Sequence, residues 1–200
     1  MMGCRQRGLG LALELGGAGL LLLAAGAVSA EGPAPASVSA IPAAKPRISS
    51  QTHIRVYFTP GDSAESAIVD QLLGAKDSIL VQAYSFTNPA IASALVGARE
   101  RGVKVVLLLD KSHRTQKYSA ADFTTHGGVE TLIDDRHAIA HNKIMIIDGQ
   151  IVITGSYNFT KAAEKSNAEN LVIIESPEVA GKYLQNWQKH HRHSQPYRKP

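Results

Sequence analysis

The chain has 200 residues, with 21 Lys and Arg against 17 Asp and Glu, and a pI near 9.2. That length suits one domain of ordinary size plus tails and is enough to bury a real core. The basic balance favours polyanionic partners, nucleic acid or anionic headgroups, although a net charge of +4 is also what a soluble protein of no such habit carries.

Arg5 and Arg7 precede an apolar stretch, Leu15 to Ala27, and the small residues Val28-Ser29-Ala30 follow it. Residues 1–30 therefore read as a secretory signal peptide cut after Ala30, which places the mature chain in the periplasm or outside the cell; an uncleaved membrane anchor is the alternative. The one cysteine, Cys4, lies within that segment, so the mature chain can have neither a disulfide framework nor thiol catalysis. Residues 31–51, with Pro33, Pro35, Pro42 and Pro46, read as a flexible linker too poor in apolar surface to order itself.

The folding part spans residues 52–192, followed by a basic tail, 193–200. Ile54 to Phe58 alternates like a strand. Asp62 with Glu65 has the spacing of a capping box and opens a helix running to about Gly74. Ser78 to Tyr84 is a second strand. Asn88-Pro89 supplies a cap and a first-turn proline for a helix with Ile91, Leu95 and Ala98 on one stripe, stopped by Gly102. Val103 to Leu109 is almost wholly apolar, as a buried parallel strand is, and completes a right-handed crossover unit. Val129 to Ile133 reads as a short strand. Ala140 to Ile147 and Ile151 to Thr154 read as a hairpin about Asp148-Gly149. Leu171 to Ile174 is a further strand, and Ser176-Pro177-Glu178 starts a last helix with Val179, Tyr183, Leu184 and Trp187 on one face. The sum is an α/β domain, a mixed β-sheet flanked by helices on both faces, without an internal repeat.

The chemistry gathers in the run His141-Asn142-Lys143-Ile144-Met145-Ile146-Ile147-Asp148 and in Gly155-Ser156-Tyr157-Asn158. Residues two apart on a strand project to one face, so His141 and Lys143 converge. An imidazole to attack phosphorus and an ammonium to hold its oxygens suit phosphodiester chemistry. Gly155 allows close approach of backbone to ligand, and Ser156 and Asn158 can donate further hydrogen bonds to phosphate. Asp148 lies an odd number of residues from His141 and points away, which gives it a supporting role in the turn. Lys111, His113 and Arg114 follow a parallel strand and are candidate contacts to nucleic-acid phosphates. His137 and His141, four apart with Asp134 and Asp135 upstream, would bind zinc on a helix. The segment does not read as helix, so the expectation is no catalytic metal and no cofactor. His190-His191-Arg192-His193 reads as a solvated helix end suited to the C-terminal dipole, more than as a phosphate or stray-metal site.

The pattern H-x-K-x4-D followed by G-S-x-N resembles the phospholipase D superfamily, and within it the small bacterial endonucleases that carry one copy of the motif. The resemblance covers residues 52 to 192 and includes Ala83-Tyr84-Ser85-Phe86-Thr87, Asn158 to Glu164, and Ser166-Asn167-Ala168-Glu169-Asn170. It implies a phospholipase D-like α-β-α sandwich and a covalent phosphohistidine at His141. It makes Glu169 the carboxylate that orients that imidazole. Larger relatives carry two motif copies, so a single copy implies a homodimer with one shared active site. The expected activity is that of an exported, nonspecific endonuclease acting on DNA and also RNA, since no groove-reading module is apparent. A phospholipase D acting on phospholipid headgroups uses the same chemistry, and a DNA-binding module of an uptake or transfer apparatus is the non-enzymatic alternative.

Overall fold

A computed structural model describes residues 52–198. The segments read as signal peptide and linker lie outside the described residues. In chain order the elements are β1 (His53–Thr59), α1 (Ala64–Gly74), β2 (Ser78–Ala83), α2 (Pro89–Glu100), β3 (Lys104–Asp110), α3 (Ala121–His126), β4 (Glu130–Asp134), β5 (Lys143–Ile147), β6 (Ile151–Gly155), α4 (Lys161–Lys165), β7 (Glu169–Glu175), α5 (Pro177–His191) and β8 (Gln195–Pro196). A single 3-10 turn, Lys111–Arg114, follows β3.

The strands form one mixed sheet in the order β1-β7-β6-β5-β2-β3-β4-β8. β2, β3 and β4 run parallel, and every other pair is antiparallel. The central strands are buried on both faces, which is why β2 and β3 read as unbroken apolar runs. Ile79, Val81, Val105, Leu107 and Leu109 join α1, α2 and α3 in the main core. The residues between them, Leu80, Val106 and Leu108, are buried on the other face, where α5 packs across β4, β5 and β6. There the Trp187 indole N–H donates to the Val81 carbonyl at 3.1 Å. Helices thus cover both faces of the sheet.

Local signals explain most element ends. The Asn88 side chain accepts from the N–H groups of Ala90 at 2.9 Å and Ile91 at 3.3 Å, capping α2 with Pro89 in its first turn. The β5–β6 hairpin turns through Asp148 (φ 52°) and Gly149 (φ 62°), with Gln150 N–H donating to Ile147 O at 2.9 Å. Two consecutive positive φ angles are those of the type I′ turn that Asp-Gly favours.

Three expectations are corrected. The capping box does not form: α1 begins at Ala64 without a side-chain cap, because Asp62 accepts from Phe58 N–H and Glu65 accepts from the Asn88 amide. β5 starts at Lys143, not Ala140, since Ala140 N–H turns aside to the Asp110 carboxylate at 2.7 Å. The domain does not stop at 192, where the basic tail was expected to begin: β8 pairs with β4, and Tyr197 N–H donates to Thr131 O at 2.8 Å.

This topology brings the chemistry to one edge of the sheet. The C-terminal ends of the parallel strands β2 and β3 lie beside the start of the antiparallel β5, with Ala83 paired to Lys143. Across β5, β6 ends at Gly155, next to the start of β7. A lone parallel bridge between Phe86 and Phe159 joins the segments that leave β2 and β6.

Candidate active site

His141 sits just before β5 and is exposed; Lys143 opens the strand and is half-buried. Their side chains meet, Lys143 Nζ lying 3.0 Å from His141 Nε2. An ammonium only donates, so this bond leaves the Nε2 lone pair as acceptor and puts the imidazole proton on Nδ1. Nε2 is then the nitrogen whose lone pair faces the ammonium. Tyr84, directly after β2, fixes the pair from the side: its ring meets the imidazole edge-on at 4.6 Å, and Lys143 Nζ lies 5.2 Å from the ring centroid. The backbone is pinned as well, Tyr84 N–H donating to Asn142 O at 2.7 Å. Burial lowers the Lys143 pKa, against the pull of the Glu169 carboxylate.

Glu169 opens β7 but does not hold His141 in the way the resemblance implies. Its Oε2 accepts from Ser156 Oγ at 2.6 Å and its Oε1 from Asn167 Nδ2 at 3.0 Å. Its influence on the pair is the electrostatic one on Lys143. Ser156 Oγ in turn accepts from Asn170 N–H at 3.1 Å, which ties the Gly155-Ser156 turn to β7. Gly155 is obligatory here. Its φ is +146°, and a Cβ would lie 2.3 Å from Asn170 O. Tyr157 is fully buried and donates to Glu164 Oε2 at 3.0 Å, anchoring the turn from below. Asn158 is half-buried, and its Oδ1 is buried without a hydrogen-bond partner.

Asp148 lies at the opposite end of β5. Its carboxylate accepts from the N–H groups of Lys76, Asp77 and Ser78 at 3.0, 2.8 and 2.9 Å, closing the α1–β2 connection. His113 is not a phosphate contact. It is 1 % exposed and fully engaged, Nδ1 with Ser119 Oγ at 2.7 Å and Nε2 with Tyr84 O at 3.1 Å. Lys111 and Arg114 are spent on the loop that leads to His141: Lys111 donates to His137 O at 3.1 Å, and Arg114 pairs with Asp135 at 3.3 Å. Beside that loop is a cleft of about 450 Å³ lined by Arg136, Lys189 and Arg192 together with His137, His190 and His193.

A family model described as cardiolipin synthase, PLD-like domain, matches residues 68–191. A phospholipase D of Rickettsia bellii is 45% identical over 138 residues, 69% of this chain and 69% of that one. The chain belongs to the phospholipase D superfamily. It is a phosphodiesterase of that superfamily. The mitochondrial cardiolipin hydrolase of Xenopus laevis is 31% identical over 64% of this chain and 61% of its own length. Among solved structures, the phospholipase D family member Nuc from Salmonella typhimurium superposes with a TM-score of 0.71 at 38% identity, covering 74% of this chain and all of that one. NucT from Helicobacter pylori shares the fold, with a TM-score of 0.68 at 23% identity.

Two site residues have no role in the sequence reading. Tyr84 stands in a segment that resembles the family, but its contact with His141 comes from the register of β2 on β5. Asp110 ends an apolar strand, and only the return of the chain at Ala140 reveals what it binds.

Proposed function

We propose that this phosphodiesterase is an exported endonuclease that cuts nucleic acid with little sequence preference, through a covalent intermediate on His141. The observation that carries the reading is the 3.0 Å contact between Lys143 Nζ and His141 Nε2 on an exposed edge of the sheet. A polymer chain can reach that edge from solvent. Support for nucleic acid over lipid comes from the basic cleft beside the loop that leads to His141, lined by Arg136, Lys189 and Arg192, side chains suited to a polyanionic backbone.

In this reaction His141 Nε2 attacks phosphorus and the bond to the leaving oxygen breaks. Lys143 and Asn158 stabilise the charge on the non-bridging oxygens, while Ser156, whose one hydroxyl proton goes to Glu169, holds the turn in place. A second imidazole must protonate the leaving oxygen and then deprotonate the water that hydrolyses the P–N bond. One motif per chain leaves that second group to another copy, so the active unit is a homodimer with its two sites merged about a two-fold axis.

The relatives named phospholipase D and cardiolipin hydrolase favour a second reading, cleavage of a phospholipid headgroup by the same residues. One assay separates the two. Purified protein is incubated with plasmid DNA, RNA and phosphatidylcholine vesicles without added Mg²⁺. The expected result is nicking of DNA that falls on the order of 10⁴-fold in His141→Ala, with wild type quenched in alkaline denaturant, where the acid-labile P–N bond survives, retaining labelled phosphate on His141. Rapid phosphatidylcholine hydrolysis without nicking, at the same protein concentration, would establish the lipid reading instead.

A further inference from the structure

The two histidine groups that the sequence places 53 residues apart come together in the fold. Asp134 ends β4, His137 lies in the loop after it, and His190 and His193 come from the end of α5 and the residues beyond. The helix end is therefore not the solvated one its composition implies: the side chains of His190 and His193 are 17 % and 19 % exposed. Asp134 is fully buried. Its Oδ2 lies 2.7 Å from His190 Nδ1, and its Oδ1 lies 3.1 Å from both His137 Nδ1 and His193 Nε2. One ligand atom from each of the four residues falls within a sphere in which all lie no more than 4.8 Å apart.

Satisfying a buried carboxylate does not require this arrangement. Asp134 Oδ1 already accepts from Arg136 N–H at 3.3 Å, and one or two further donors complete a carboxylate. Instead three imidazoles crowd together, with ring centroids 4.9, 5.3 and 5.5 Å apart. Adjacent rings of this kind repel one another once protonated and gain most when a single cation takes the lone pair of each. In a tetrahedral site with Zn–N and Zn–O distances of about 2.0–2.1 Å, ligand atoms stand roughly 3.3 Å apart. The present spacing closes to that with side-chain shifts of about 1 Å.

We propose that Asp134, His137, His190 and His193 form a binding site for a divalent transition metal of the zinc class, separate from the phosphodiester site. Nitrogen and carboxylate ligands in a tetrahedral set are the donors zinc prefers. Four protein ligands close the coordination sphere, so the role is structural. The ion joins three parts of the chain: the end of β4, the β4–β5 loop that runs on to His141, and the end of α5. The neighbouring bonds from Lys111 to His137 O and from Arg114 to Asp135 brace the same loop.

The test uses the metal alone and does not depend on the catalytic reading. Metal-free full-length protein is titrated with cobalt(II) and followed in the visible region, where tetrahedral cobalt gives intense d–d bands. One equivalent per chain should saturate the bands. They should vanish in His190→Ala and in His193→Ala, and persist in His141→Ala and in His126→Ala. Zinc at a hundredfold excess over its Kd should raise the wild-type Tm by roughly 5–10 °C and leave the two cluster variants unmoved. An unchanged emission maximum of Trp187 shows that those variants remain folded. Wild-type protein that develops no tetrahedral bands, or bands that survive both His190→Ala and His193→Ala, would overturn the proposal.

Discussion

At the scale of single residues, His113 shows how a group outside the chemistry governs it. Its ring supports the carbonyl of Tyr84, and Tyr84 supports the face of His141. Burial lowers the His113 pKa from its ordinary 6.5, against the opposing effects of the Tyr84 carbonyl and the Asp110 carboxylate. The folded-state value is therefore below the unfolded one, and the unfolded chain takes up this proton first as pH falls. The stability linked to His113 is full above about pH 6.5 and declines as the pH drops from there through the folded value. Thermal unfolding followed between pH 7.5 and 5 should show a falling Tm. In His113→Gln the Tm should start lower and fall less steeply, and parallel curves for the two proteins would remove His113 from the linkage. A histidine three residues beyond an apolar strand looks in sequence like a surface contact. Its burial is set by Ser119 and Tyr84, which the chain brings in from both sides, so nothing local announced it. His141 and Lys143 were legible for the opposite reason, since their convergence follows from a spacing of two.

Among the elements, the link from β3 to the loop before β5 matters most to the site. Asp110 is buried, which raises a carboxylate's pKa, but the hydrogen bonds from Ser112 and Ala140 outweigh this and hold it below the usual range. It is a positioning residue, holding Ala140, the residue directly before His141. In Asp110→Asn the amide group presents N–H to one of two backbone N–H donors. The expected loss is about 1–3 kcal/mol of stability in denaturant unfolding. Turnover should drop about tenfold or more through misplacement of His141, with KM little changed. The apolar pattern gave β2, β3 and the core of β5 almost to the residue, because buried strands carry it along their whole length. It overran β5 at Ala140 to Asn142, where a side-chain acceptor on another strand takes the backbone. The 3-10 turn, α4 and the two-residue β8 lie below the length at which periodicity exists to be read.

For the whole molecule, the question is how one motif makes a complete catalyst. If two copies merge their sites, dimers mixing wild type with His141→Ala after subunit exchange should turn over almost nothing, whereas independent sites would leave half the activity. The exposure of His141 fits a site open to a second copy. A mixed sheet with helices on both faces was legible from the order of strands and helices, and its phospholipase D-like form from the resemblance carried by the motif; the pairing of β1 with β7 and the closing of the sheet by β8 depend on contacts between distant parts of the chain. One such contact sets the energetics of substrate capture. At the Phe86–Phe159 bridge, Phe159 N–H donates to Ser85 O, Phe159 O accepts from the N–H groups of Thr87 and Asn88, and the two buried rings meet edge to face at 6.3 Å. The turn bearing Ser156 and Asn158 is thereby welded to the segment bearing Tyr84, and opening either requires unpacking the core. Amide hydrogens at this junction should exchange only through global unfolding. In the proposed reaction the entropy of ordering this turn is then lost when the chain folds, and the phosphodiester meets a rigid template whose cost of organisation no longer weighs on binding.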